Sequence, residues 1–176
     1  PKNLERARYW FTRAADSGNA AAQYQVAVMA SQGAGGPKDE ATAALYYKKS
    51  LQTWKKEADD GDSKAALWAA LVYERKLVPD SSPEKSVPYL LQAAESGNLT
   101  AQGLLAFKYR DGLGVPQDAA KAVEWFEKAA SRKDLGAVME LGIMFRDGKY
   151  LPPDREKAFH WFEKGAEWKD PYSMAA

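Results

Sequence analysis

Few side chains in this sequence of 176 residues could do acid-base or metal chemistry. It contains no cysteine and one histidine, His160, which excludes a thiol nucleophile, a zinc finger and a multi-histidine metal site. A general base needs an orienting partner and a pocket. His160 instead stands beside Trp161 in a helical pattern, and the internal repeat aligns it with Glu124, which favours an exposed position. We therefore expect no enzyme activity, cofactor or metal site.

Three aspartates could be interpreted as a row of carboxylates that holds a cation. However, Asp39, Asp118 and Asp154 each precede a helical segment, and aspartate is a preferred N-cap residue because its carboxylate accepts a backbone N–H. Helix capping explains all three. The adjoining glycine-rich segments, 33–39 and 112–118, lack the Lys-Ser/Thr ending of a phosphate-binding loop, and no strand pattern precedes them. We interpret these segments as loops between helices.

The charge is balanced, with 25 Lys+Arg against 24 Asp+Glu and a formal net charge of +1. Nucleic-acid binding through phosphate neutralisation usually needs an excess of basic residues on one face, so no nucleic-acid partner is expected. The lysines between 48 and 56 are followed by acidic residues and fit a solvated helix. Apolar runs fall far short of the roughly 20 residues that cross a bilayer, so we expect no membrane insertion.

The same sequence pattern recurs every 36 residues. Residues 112–130 align with residues 148–166, and one earlier unit is seven residues longer. Seven residues are nearly two helical turns, so the insertion can lengthen a helix while rotating its buried face by only about 20°. We predict a single repeat domain over 1–176. Its segments are 1–19 (partial), 20–62 (with the insertion), 63–98, 99–134, 135–170 and 171–176 (partial).

Each unit predicts two helices. In the first helix, small or apolar residues recur at positions 0, +4, +5 and +8, which lie on one helical face. These residues are Ala22, Val26, Ala27 and Ala30; Ala65, Ala69, Ala70 and Tyr73; Ala101, Leu105, Ala106 and Tyr109; and Ala137, Leu141, Gly142 and Phe145. The second helix is predicted to begin after Asn3, Asp39, Ser82, Asp118 or Asp154, and its aromatic stripe includes Trp10, Trp125 and Trp161. Gly33, Gly112 and Gly148 suit helix ends that need positive φ.

A unit of about 36 residues cannot bury both helical faces by itself, so neighbouring units must stack to complete the core. The predicted fold is an all-α solenoid of about four complete units plus partial units at both ends. The sequence begins at Pro1, half way through a unit, so we expect it to be a fragment of a longer protein. The open ends would expose apolar faces at Phe11 and around Tyr172, which could support end-to-end self-association.

The pattern resembles the Sel1-like repeat, a relative of the tetratricopeptide repeat. Leu141-Gly142 carries its Leu-Gly element, and Lys121-Ala122 and Lys157-Ala158 carry its Lys-Ala element. The resemblance is weaker in 63–98, where Lys76 replaces the loop glycine and Pro88 is expected to interrupt or kink the second helix. Family members with structural disulfides carry paired cysteines, so this chain is not of that subtype.

The resemblance implies a non-enzymatic bacterial scaffold that binds a partner protein or peptide through a concave face lined by the first helices. It implies a periplasmic or cell-envelope location, with the cytoplasm as the alternative. Two other functions stay open at this stage: an immunity protein that neutralises a cognate secreted toxin, and a glycan- or peptidoglycan-binding module that uses aromatic platforms with carboxylates, for which Trp68 with Glu140 gives thin support.

Recognition should depend on positions of the first helix that vary between units. Position +3 holds Gln25, Trp68, Leu104 and Glu140. Position +7 holds Met29, Val72, Lys108 and Met144. We predict that these eight residues face the partner, with Trp68, Leu104 and Lys108 as anchors. Trp68 is unexpected at a position that also carries Gln and Glu, and it resembles an interaction hot spot. Alternatively, Trp68 packs against the inserted turn around Trp54.

Overall fold

The computed structural model describes residues 2–169, which form nine α-helices and no strand. The predicted partial unit 171–176, with Tyr172, lies outside these described residues. The helices are α1 Lys2–Asp16, α2 Ala20–Gln32, α3 Glu40–Asp59, α4 Ser63–Glu74, α5 Pro83–Glu95, α6 Leu99–Asp111, α7 Ala119–Ala130, α8 Leu135–Asp147 and α9 Arg155–Lys169. The predicted all-α solenoid is confirmed, with about five repeats.

The helices fall into two compact units. Unit 1 is Pro1–Tyr89, in which α1 packs on α2, α2 on α3 and α3 on α4. Unit 2 is Leu90–Ala176, in which α6 packs on α7, α7 on α8 and α8 on α9. In both units the contacts join helices that follow one another in sequence, as expected of a repeat array.

The periodic stripe of the first helices forms the core of each unit. In unit 1, Ala27 and Ala70 are fully buried; in unit 2, so are Leu105 and Leu141. Of the sixteen stripe residues, fifteen are buried and Tyr109 is half-buried. Small side chains at these positions let the helices approach closely, while the second helices contribute larger groups such as Phe126, which is 1% exposed.

The predicted aspartate caps are confirmed. The Oδ1 atoms of Asp39, Asp118 and Asp154 each accept the backbone N–H three residues on, at 3.0 Å. The backbone N–H of each aspartate donates in turn to a carbonyl in the last turn of the preceding helix, as in Asp118 to Tyr109 at 2.8 Å. In each of these units, one aspartate therefore caps the second helix with its side chain and joins it to the first helix with its backbone hydrogen bond. Asn3 was predicted wrongly as a cap, because α1 begins at Lys2 and already includes it.

The loop glycines also behave as predicted. Gly33, Gly112 and Gly148 end their helices with φ of 68°, 71° and 66°. Lys76 stands at the position that Gly112 occupies one repeat later, and it adopts φ of 53° in spite of its Cβ. The left-handed conformation is therefore set by the loop, and a side chain there costs about 1 kcal/mol or more.

The inserted residues lengthen a second helix, as predicted. Helix α3 has 20 residues and α7 has 12, and α3 continues without a break through Trp54, which is 4% exposed. The predicted interruption at Pro88 is wrong, because α5 runs from Pro83 to Glu95 with Pro88 inside it. Pro88 is exposed, so its ring does not displace the neighbouring core.

The prediction that Trp10, Trp125 and Trp161 all lie in the core is only partly correct. Trp125 is 7% exposed and Trp161 is half-buried, but Trp10 is 64% exposed. Helix α7 packs against both α6 and α8, whereas α1 packs against α2. Within residues 2–169, α1 thus has one main neighbouring helix where α7 has two, which fits the greater exposure of Trp10.

Candidate binding face of the first helices

Every residue predicted at position +7 is buried, so the expectation that these side chains face a partner is wrong. Met29, Val72, Lys108 and Met144 are exposed by 7%, 0%, 3% and 2%. Seven residues turn a helix by 700°, which places position +7 only about 20° from the buried position 0. Position +7 therefore belongs to the core stripe.

Lys108 has a structural role in this buried position. Its Nζ atom donates to the carbonyl oxygen of Leu113 at 3.3 Å, in the loop that follows α6. A lysine can bury its aliphatic stem and still satisfy its ammonium group at the end. Lys108 is therefore removed from the predicted anchors.

The residues at position +3 are accessible. Gln25 is exposed, Trp68 is 40% exposed, and Leu104 and Glu140 are half-buried. Position +3 is turned by about 60° from position 0, which brings it to the edge of the core. This row of residues, rather than +7, marks the accessible face of the first helices.

In unit 1 the accessible face is built around Trp68. Its ring stacks on the buried ring of Trp54, with centroids 5.4 Å apart and an angle of 15° between the planes. Tyr24 of α2 contacts both indoles, with centroid distances of 5.7 Å to Trp54 and 5.8 Å to Trp68. Both interpretations of Trp68 therefore describe part of it: one side packs on the lengthened α3, and the rest is exposed.

Two basic side chains that were not among the predicted site residues flank Trp68: Lys64 of α4 and Arg75, the residue that follows the end of α4. Lys64 and Arg75 are exposed, and Nη1 of Arg75 donates to the hydroxyl oxygen of Tyr24 at 2.8 Å. Their positions, −1 and +10, lie on the same helical side as +3. The signal was available, since +10 is two helical turns beyond +3.

In unit 2 the corresponding face contains an apolar cavity of about 260 Å³. Leu104 and Phe107 of α6 line it, Phe126 lies at its base, and Glu140 of α8 stands at its edge. The structure thus brings the predicted residues Leu104 and Glu140 together. The cavity also reaches Gly103 and Gly136, and a Cβ atom added at Gly103 would meet no other atom within 4 Å.

The carboxylate of Glu140 takes part in a network of charged groups. Nη1 of Arg110 donates to Oε2 of Glu140 at 2.7 Å, and its Nη2 donates to Oδ2 of Asp111 at 2.8 Å. The Tyr150 hydroxyl donates to Oδ1 of Asp111 at 3.0 Å. The hydrogen bond from Arg110 lowers the pKa of Asp111, and the same bond raises the pKa of Arg110. The bond from Arg110 to Glu140 links α6 to α8.

The remaining candidates for chemistry are the single histidine and possible metal-binding side chains. His160 is exposed and contacts the ring of Trp161 edge-on, with centroids 5.5 Å apart. Residues 2–169 contain no group of three or more His, Asp or Glu side chains arranged to hold a metal ion. Over the same residues, no helix is both long enough and apolar enough to cross a membrane.

A family comparison explains this architecture. The Sel1 repeat model matches residues 1–19, 20–52, 64–98, 100–134 and 136–167, which is most of the chain. This chain belongs to the Sel1 repeat family. Sel1 repeat proteins generally mediate protein–protein interactions and are typically non-enzymatic scaffolds. The expected family is thereby confirmed.

Solved structures resemble this Sel1 repeat protein over nearly its whole length. A Sel1 repeat protein from Oxalobacter formigenes aligns with 97% of this chain and 68% of its own, at a TM-score of 0.69 and 23% identity. A protective antigen of uropathogenic Escherichia coli with an SLR fold aligns with 94% of this chain, at a TM-score of 0.69 and 27% identity. This chain spans 34% of that antigen.

A third similar structure is the cysteine-rich protein B of Helicobacter pylori. It aligns with 78% of this chain and 98% of its own, at a TM-score of 0.52 and 21% identity. A comparison with curated proteins gives no match. The resemblance to these structures establishes the fold of this Sel1 repeat protein, and its binding properties must be argued from its own residues.

Proposed function

We propose that this Sel1 repeat protein is a non-enzymatic interaction module that binds a partner protein or peptide through the accessible face of its first helices. The observation that carries the proposal is Trp68, whose indole is 40% exposed although it is stacked on Trp54. Partly exposed tryptophans in fixed surroundings are enriched among interaction hot spots. The concave face that the sequence predicts for the first helices is part of this proposal.

The fixed position of Trp68 supports binding in energetic terms. A side chain that must be ordered on binding costs about 0.5–1.5 kcal/mol of entropy. The Trp68 ring already rests on Trp54 and against Tyr24, so most of that cost is met within the free protein. Burying the remaining exposed part of the indole then contributes favourably to the complex.

Affinity capture from lysate and envelope extract of the source cell tests this function. The native chain is compared with Trp68→Ala and with Trp10→Ala, which removes a more exposed indole from α1. We expect at least one protein to be retained by the native chain and Trp10→Ala and lost from Trp68→Ala. Circular dichroism confirms that each variant is folded. Equal retention by all three chains would refute the proposed face.

The identity of the captured protein distinguishes the more specific roles. A structural or regulatory protein of the periplasm or envelope supports the scaffold role that we propose for this chain. A secreted toxin whose activity the chain inhibits supports the immunity role instead. Fractionation of the source cell, followed by detection of this chain with an antibody, tests the proposed envelope location directly. Recovery in the cytoplasmic fraction alone would contradict that location.

We also propose that α1 can associate with another copy of the chain. Leu4, Tyr9, Trp10 and Phe11 are exposed by 51%, 54%, 64% and 39%, and Leu4 and Phe11, seven residues apart, lie on one side of α1. Large exposed apolar residues that lie close together are typical of an interaction site. Analytical ultracentrifugation should show a mass that rises with concentration, and Trp10→Ser should reduce the increase. A constant monomer mass would contradict this association.

A further inference from the structure

The accessible face of α4 is basic as well as aromatic. Lys64, Trp68, Leu71 and Arg75 occupy positions −1, +3, +6 and +10, which fall within an arc of about 60° on the helix. Lys64 and Arg75 are exposed, Leu71 is half-buried, and we call these four residues the α4 row. One basic group therefore stands on each side of an apolar centre.

Neutral residues occupy the same positions of α2. They are Ala21, Gln25, Val28 and Gln32, and Tyr24 of this helix contacts Trp68. Lys64 and Arg75 make no ion pair with any carboxylate within residues 2–169. Asp62, the closest acidic residue to Lys64 in sequence, uses Oδ1 to cap α4 by accepting the backbone N–H groups of Lys64 and Ala65. The positive charge of the α4 row is thus not neutralised by a direct partner.

Arg75 is held in place for recognition. One of its five N–H donors bonds the Tyr24 hydroxyl at 2.8 Å, and the guanidinium is exposed. A guanidinium binds a carboxylate most strongly through two parallel hydrogen bonds. The bond to Tyr24 restricts the arginine side chain while leaving enough N–H groups for this arrangement.

The helix geometry fixes the spacing of these groups. At 1.5 Å per residue, Lys64 and Arg75 are about 16 Å apart along α4, and Trp68 lies about 6 Å from Lys64 and about 10 Å from Arg75. An extended peptide advances about 3.3 Å per residue. Because successive side chains of an extended peptide point to opposite faces, only residues an even number apart can face α4 together. Two carboxylates six residues apart span about 20 Å on one face, which the long Lys64 and Arg75 side chains can reach, with an apolar residue two residues from one carboxylate and four from the other.

We infer that the α4 row binds an extended acidic peptide segment in which an apolar residue lies between two carboxylates six residues apart. The apolar side chain packs on the exposed part of Trp68 and against Leu71, and the carboxylates pair with Lys64 and Arg75. This inference rests on the proposed function and adds the chemistry of the partner. It concerns unit 1 alone.

Synthetic peptides of defined spacing test the inference. The probes are Ser-Glu-Ser-Phe-Ser-Ser-Ser-Glu-Ser and its reversed spacing, Ser-Glu-Ser-Ser-Ser-Phe-Ser-Glu-Ser, which together cover both chain directions. Two control peptides replace both Glu by Lys or by Gln. Titration into ¹⁵N-labelled protein, followed by NMR, measures affinity and locates the site. We expect one acidic peptide to shift the signals of residues 64–75 and the Trp68 indole, and the Lys peptide to shift neither.

Variants of the α4 row give the quantitative expectation. Trp68→Ala should raise the dissociation constant about tenfold or more, as removal of a hot-spot residue does. Lys64→Gln and Arg75→Gln should raise it about two- to fivefold each, because both groups are exposed and partly screened by solvent. Lys48→Gln, which removes the same charge from the exposed part of α3, should leave it unchanged.

The outcomes separate this inference from the proposed function. If the Gln or Lys peptide binds as tightly as the acidic peptides, or if the shifts lie outside 64–75, the inference is overturned. The capture experiment with Trp68→Ala then still decides whether the face binds a partner of another chemistry. Lys64→Gln and Arg75→Gln change exposed groups, so their effect can be measured even if Trp68→Ala lowers the stability of unit 1.

Discussion

Units 1 and 2 bury the same pattern of residues and expose different chemistry on their first helices. In unit 1, Trp68 is stacked on Trp54 between basic groups that pair with no carboxylate of residues 2–169. In unit 2, an apolar cavity is bordered by Glu140, and Arg110 neutralises the acidic groups beside it. Because the core stripe is common to both units, the fold places few restrictions on the accessible row. Each unit can therefore present its own binding surface.

The largest expected effect comes from removing the support beneath Trp68. Trp54→Ala deletes a buried indole and should lower the free energy of unfolding by about 3–5 kcal/mol. Chemical denaturation measures the loss, and NMR of the Trp68 indole shows whether its position is kept. Phe126→Ala in unit 2 is the matched control for stability, since it should cost a similar amount without changing that signal. An unchanged Trp68 signal in Trp54→Ala would show that the stacking does not position Trp68.

Position +5 of α8 differs from the same position in the other first helices, and a single methyl group can test this difference. Ala27, Ala70 and Ala106 stand there in α2, α4 and α6, but Gly142 of α8 faces Phe162, and a Cβ atom would lie 2.7 Å from Cδ1 of that ring. Gly142→Ala should therefore destabilise the protein by about 1–3 kcal/mol through overpacking. Thermal unfolding measures the change. Ala70→Gly should cost only about 1 kcal/mol, and an equal or smaller effect of Gly142→Ala would contradict the close contact.

The charged network of unit 2 predicts a pH-dependent difference from unit 1. The folded state lowers the pKa of Asp111 below its usual value of 3.8, so its contribution is fully present above that pH and is lost as the pH falls through the lowered folded pKa. Arg110→Gln should reduce stability by about 1 kcal/mol at neutral pH. The reduction should shrink below about pH 4, as Asp111 becomes protonated.

Urea unfolding from pH 7 to pH 3 measures this dependence. Arg146→Gln breaks a more exposed pair with Asp147, so its effect should be smaller than that of Arg110→Gln. A parallel pH profile for the native chain and Arg110→Gln would mean that the network does not stabilise unit 2.

The smallest expected effect is a gain in stability. Lys76 of unit 1 has φ of 53° at the loop position where unit 2 has Gly112, with φ of 71°. Lys76→Gly should raise the free energy of unfolding by up to about 1 kcal/mol, because glycine adopts this conformation without strain. Gly112→Ala should lower it by a similar amount. Differential scanning calorimetry compares the two, and a loss of stability in Lys76→Gly would show that its side chain makes a compensating contact.

The sequence was sufficient for the fold because the repeat itself carries the information. Residues such as Ala27, Ala70 and Ala106 recur at one position, and a recurring small residue in a helix predicts close helix packing. The capping aspartates and loop glycines were equally local signals. None of these predictions required knowledge of which residues touch each other in the folded chain.

The binding face was predicted only in part, since variability between repeats does not by itself indicate exposure. At position +7, Met29, Val72 and Met144 differ in type but are all apolar, which indicates burial. The polar Lys108 at the same position in α6 hid this signal. The support of Trp68 by Trp54 depends on the side-chain packing of α3 against α4. The role of Arg75 depends on a hydrogen bond to a residue 51 positions away.

The lengthened helix α3 has a consequence for how such an array can evolve. A loop can gain residues in any number, but a helix that must keep one side inward can grow only by steps close to whole turns, of which seven residues is one. Other step sizes would have turned Trp54 away from Trp68 and left the surface tryptophan without support. New recognition surfaces in this chain could therefore arise in two ways: freely by substitution in the accessible row, and in discrete increments of helix length.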